Sequence, residues 1–92
     1  MKVTIRFFAQ FRETFGAVHE LTVPAGAQLM EVLHEIAAGT PDGEATLFAA
    51  DGALRDYVIV MQGPERIDSA RLATLELRDG ETYAVFPPVA GG

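Results

Sequence analysis

The segment from Ala27 to Pro41, AQLMEVLHEIAAGTP, constrains the fold more than any other. Leu29, Val32, Leu33 and Ile36 recur at helical spacing and form one apolar stripe. Glu31, His34 and Glu35 lie away from that stripe, which predicts His34 on the solvent side. Gly39 and Pro41 stop the helix, and its start falls between Gly26 and Gln28. A chain with one good amphipathic helix must lay it against another layer, and the flanking sequence reads as strand.

KVTIRFF alternates from Lys2: Val3, Ile5 and Phe7 share one face, Lys2, Thr4 and Arg6 the other. Phe8 then puts an aromatic on the polar face. Phe11 and Phe15, with Gly16 behind them, fit a short helix closed by a glycine. VHELTV reads as a second strand carrying His19, Leu21 and Val23 on one face. YVIVMQG is apolar on both faces, the pattern of a central strand covered on both sides. PERIDSARLATLEL predicts irregular chain with a helical turn near Arg71 to Thr74. TYAVF is the last strand, with Tyr83 and Val85 opposite Ala84 and Phe86.

The order strand, strand, helix, strand, strand predicts an α+β domain with the helix across one face of a single sheet. Phe8, Phe86 and one side of YVIVM then have no place on the helix side. Either they form a partner surface, or EATLFAA at 44–50, read as a short helix, covers them.

Ninety-two residues suit one domain. Seven basic residues against 13 acidic ones give a net charge of -6. Phosphate backbones demand clustered Lys and Arg, so no nucleic acid is expected as partner; a basic protein surface fits the net charge better. The absence of cysteine excludes disulfides, thiolate metal sites and cysteine nucleophiles. No signal-like or membrane-spanning segment is visible, which predicts a cytoplasmic protein without membrane contact. There is no phosphate-binding glycine loop, no H-E-x-x-H and no metal motif. His19 reads as a strand-end boundary residue, and Asp51, Asp56, Asp68 and Asp79 as turn residues.

The remaining chemistry lies in FPPVAGG, residues 86–92. Pro87 and Pro88 fix φ and favour extended chain leading off the last strand. Gly91 and Gly92 lack side chains, so a narrow channel could close around their backbone. The Gly92 carboxylate is ionised at neutral pH. The division expected is a domain over 1–86 and a mobile, extended tail over 87–92.

FPPVAGG resembles the tail of the MoaD family, the small subunit of molybdopterin synthase. VTIRFFAQFRETFG resembles that family's opening strand and its FA-x-x-RE-x-x-G element, LFAADGALRDYVIVMQG its middle, and LATLELRDGETYAVFPPVAGG its close. Gln62-Gly63 stands where Asn-Gly is often found, Pro64-Glu65 where a basic residue is common, and LATLELRDG lacks a frequent Thr-Pro. The resemblance implies a ubiquitin-like β-grasp with a four- to five-stranded mixed sheet and one main helix on one face. It also implies a sulfur carrier that binds no cofactor or metal of its own. A ubiquitin-activating-type adenylating enzyme would use ATP to convert the Gly92 carboxylate to an acyl-adenylate. A persulfide donor would turn this into a thiocarboxylate. The large catalytic subunit of molybdopterin synthase would then receive the sulfur. Pro87, Pro88, Val89, Ala90 and Gly91 would thread into those partners, with Phe8 and Phe86 on the docking surface. A carrier for thiamin, cysteine or tRNA thiolation, or a ubiquitin-like protein modifier, fits the same tail chemistry.

Overall fold

A computed structural model describes residues 1–88; Val89, Ala90, Gly91 and Gly92, and with them the expected course and mobility of the tail tip, lie outside the described residues. Strand β1 (Lys2–Phe7) realises the alternation of its sequence, with Val3, Ile5 and Phe7 buried. Ala9 turns the chain into helix α1 (Gln10–Phe15), which ends at Gly16 with φ of 93°. Strand β2 (Val18–Thr22) returns antiparallel to β1, with Ile5 opposite His19 and Arg6 opposite Val18.

Helix α2 (Leu29–Ala38) follows. Gln28 caps its first turn: the Gln28 N–H donates to Glu31 Oε1 at 3.2 Å, which satisfies a backbone group the helix leaves open. Leu29, Val32 and Leu33 are buried as the stripe predicts, while Ile36 is half-buried and Ala37 completes the contact face. Helix α3 (Gly43–Leu47) packs back on α2. Gly43 is required there, because a Cβ would sit 2.4 Å from the Ala37 carbonyl oxygen.

Strand β3 (Ile59–Gln62) and the two-residue strand β4 (Glu65–Arg66) form an antiparallel pair. Helix α4 (Ser69–Leu72) begins earlier than the turn expected at Arg71 to Thr74, because Asp68 caps it, its Oδ1 accepting from the Arg71 N–H at 2.9 Å. Strand β5 (Thr82–Phe86) runs parallel to β1 and antiparallel to β3. The order across the sheet is β2-β1-β5-β3-β4. This is the β-grasp, with a five-stranded mixed sheet and α2 as its main helix.

The core lies between α2 and one sheet face. Ile5, Phe7, Leu29, Leu33, Leu47, Val60, Tyr83 and Val85 are its most deeply buried side chains. β5 is the central strand, and β3 is not covered on both sides as its sequence predicts. Val60 is buried, whereas Ile59 and Met61 are half-buried on the other face. The reason is the position of residues 44–50: Leu47 and Phe48 join the core on the side of α2, so they do not cover Phe8 and Phe86. Among the described residues no helix is long and apolar enough to cross a membrane.

Candidate functional site

The open face of the sheet can be built row by row. Residues directly opposite each other in neighbouring strands share a face. One row reads Val18, Arg6, Ala84, Met61 and Arg66 from β2 to β4. The next pairs Phe86 with Ile59 and is extended by Phe8, whose N–H donates to the Val85 carbonyl at 3.1 Å. The rings of Phe8 and Phe86 stack with centroids 4.5 Å apart and 12° between their planes. The Arg6 guanidinium lies 5.6 Å from the centre of the Phe8 ring, within cation–π range.

Phe86 also walls an apolar depression of about 470 Å³, with Ile59, Met61, Pro87 and Pro88 lining it beside Ala9 and Gln10. Ala9 has φ 52° and ψ -130°, a left-handed conformation that a residue with a Cβ adopts only at a cost. It turns the chain sharply between β1 and α1 and thereby sets the edge of this depression. The two prolines expected to lead the tail are therefore part of the apolar site, Pro87 half-buried and Pro88 exposed.

The structure thus brings together Phe8, Phe86, Pro87 and Pro88 among the residues named from sequence. Val89, Ala90, Gly91 and Gly92 fall outside the described residues. Ile59, Met61 and Ala9 were not named as site residues. Surplus apolarity in YVIVM pointed towards the first two, whereas nothing in the sequence marks the backbone of Ala9. The site is flanked by Arg6 and Arg66, so the net charge of -6 does not describe this face.

The histidines are used structurally. His19 Nε2 donates to the Phe15 carbonyl, and its ring meets Phe7 edge-on at 5.6 Å. His34 lies half-buried on the outer side of α2 as expected, but it is also engaged there: it stacks on Phe48 at 3.6 Å, and Nε2 donates to the Gly52 carbonyl at 3.1 Å. Its Nδ1 lies 3.3 Å from Glu44 Oε2. The α3 segment folds beside α2 and supplies these partners, which periodicity within α2 cannot reveal. Among the described residues no group of three His, Asp or Glu side chains is placed to hold a metal. A second cleft of about 660 Å³ lies between α2, α4 and residues 53–58, with Arg55, Asp56 and Asp68 on its walls.

Comparison with known proteins extends this geometry. The model of the ThiS family matches residues 5–92. Small archaeal modifier protein 3 of Haloferax volcanii is 38% identical over 94 residues, covering 100% of both chains. The crystal structure of SAMP1 from Haloferax volcanii superposes with a TM-score of 0.82 at 26% identity, covering 100% of each chain. A Pyrococcus furiosus structure, assigned as molybdopterin converting factor subunit 1, has a TM-score of 0.71 at 27% identity; 97% of this chain and 99% of that one align.

Proposed function

Because this chain belongs to the ThiS family, we propose that it is a ubiquitin-like carrier whose Gly92 carboxylate is activated by a partner enzyme with ATP. The observation that carries this reading is the extent of the family match, which continues through the tail to Gly92. A second support is the position of Pro87 and Pro88 beside the apolar site of Phe8, Phe86, Ile59 and Met61. An enzyme that grips this site receives the tail directly from it. The working division is a β-grasp domain over 1–86 and a threading segment over 87–92.

In the chemistry proposed, a Gly92 carboxylate oxygen attacks the α-phosphorus of ATP and pyrophosphate leaves. Sulfur from a persulfide donor attacks the resulting acyl carbon, AMP leaves, and a thiol reduces the acyl disulfide to a thiocarboxylate. The carrier supplies the carboxylate and the docking surface; acid–base groups and phosphate contacts belong to the partners. The first destination is a molybdopterin precursor, with this chain as small subunit of the synthase. The tail FPPVAGG and the likeness to the Pyrococcus furiosus protein favour it. A second reading, attachment of Gly92 to a lysine of another protein, is favoured by the 38% identity to a modifier protein.

The test is intact mass after incubation with an adenylating enzyme, ATP and a persulfide donor. The native chain should gain the mass of one oxygen exchanged for sulfur. One residue appended after Gly92 displaces the carboxylate by about 3.3–3.6 Å, too far for atoms that must approach within about 3–3.5 Å. That variant and a Gly92 deletion should gain nothing while melting like the native chain. An extended chain, verified as unprocessed, that still accepts sulfur would refute the assignment.

A further inference from the structure

Lys2 is the single lysine of the sequence. The six arginines offer no alternative nucleophile, because a guanidinium keeps its proton. The Met1 nitrogen is engaged, donating to the Val23 carbonyl at 2.7 Å, and the Met1 side chain packs against the core. The chain therefore presents one free amine on a defined stem.

That stem is held on both sides. Lys2 is paired with Thr22 of β2, and its carbonyl accepts from the Gly80 N–H at 2.7 Å. Its N–H donates to Asp79 Oδ1 at 2.8 Å. The residue is exposed, and among the described residues its ammonium has no hydrogen-bond or ion-pair partner. Lys2 and Phe8 stand at opposite ends of the first strand region, about 20 Å apart at roughly 3.3 Å per residue. Lys2 is thus remote from the stacked Phe8–Phe86 pair on which the proposed enzyme would seat.

We propose that Lys2 is a modification site, the acceptor for Gly92 of a second copy of this chain. The proposal rests on the activation of Gly92 proposed above. The neutral Lys2 amine attacks the Gly92 acyl carbon of the second copy's adenylate. The N–C bond forms, the bond from carbon to the phosphate oxygen breaks, AMP leaves with the electron pair, and the amine proton passes to solvent. No oxidant or reductant takes part. Each product retains one Gly92 and one Lys2 unreacted, so the reaction can repeat. With one acceptor amine per copy, the polymer is linear and of one linkage type.

The experiment uses the whole chain with its adenylating enzyme, ATP and magnesium, without a sulfur donor. Denaturing gels should show a ladder. Tryptic mass spectrometry should show residues 1–6 with 79–92 joined through Lys2. Lys2→Arg should reduce the ladder at least tenfold and leave pyrophosphate release unchanged. A ladder that survives Lys2→Arg, or a branch mapped to the Met1 nitrogen, overturns the proposal. Pyrophosphate release from the native chain with no Lys2 branch also overturns it and leaves the carrier function standing. Absence of pyrophosphate release counts against the carrier function instead. In that event a Gly92 thioester of the same chain, made by intein cleavage, supplies the acyl group without enzyme. Branching mainly at Lys2 supports the proposal, and branching mainly at Met1 overturns it.

Discussion

The two faces of the sheet are made by the same strands and differ in nearly everything else. On the helix side, Val3, Ile5, Phe7, Val60, Tyr83 and Val85 are at most 2% exposed. On the open side, Phe8, Ile59, Met61, Ala84 and Phe86 are half-buried, and Lys2, Arg6 and Val18 are exposed. Alternation lets one strand specify a stabilising surface and, on the function proposed above, a recognition surface at once. The difference teaches that stability and partner binding should respond to different residues only one position apart.

The largest effect should come from the covered face. Leu33→Ala should lower unfolding free energy by about 2–5 kcal/mol, because Leu33 is fully buried beneath the sheet. Urea unfolding measures it; a loss no greater than that of Met61→Ala would erase the distinction between the faces. Next, Phe86→Ala should weaken affinity for the adenylating enzyme by about 10- to 100-fold, as expected for an aromatic anchor. Its cost in stability should stay near 0.5–1.5 kcal/mol, the scale of one aromatic pair. Calorimetric titration beside thermal melting separates the two, and a variant that unfolds yet binds normally once folded would make Phe86 a core residue.

A smaller effect concerns Tyr83, whose hydroxyl accepts from the Arg78 N–H at 3.2 Å. Burial pushes its phenol above the ordinary value, partly offset by that hydrogen bond. Below a pH of about 10, where an unfolded phenol titrates, both states hold the proton and the contribution is complete. As pH rises further the unfolded chain ionises first, so stability falls until the folded phenol titrates too. Tyr83→Phe should cost about 1 kcal/mol at neutral pH and flatten that alkaline decline, read from melts across the alkaline range. The smallest change lies on the open face. Ala9→Gly should raise stability by about 0.5–1 kcal/mol, the left-handed strain released less the added freedom of the unfolded chain. A destabilised glycine variant would mean that the Ala9 methyl group contributes more than its strained backbone costs.

The sequence by itself determined which side of each clear element is buried. The stripe on α2, the alternation of β1 and β5, and the placing of Phe8 and Phe86 away from the helix all follow from period alone. It also directed the search for reactive chemistry to the tail, because the rest of the sequence carries no reactive motif. Only the tertiary structure decided neighbours. That β5 lies between β1 and β3, that Glu65 and Arg66 make a fifth strand, and that α3 joins the helix side are outcomes of pairing between distant segments. So is the stacking of Phe8 on Phe86 and of His34 on Phe48. The physical reason is that periodicity records whether a side chain meets water or core, a local property. Which residue it meets depends on contacts across the whole chain, and a two-residue strand or a strained alanine has no period to read.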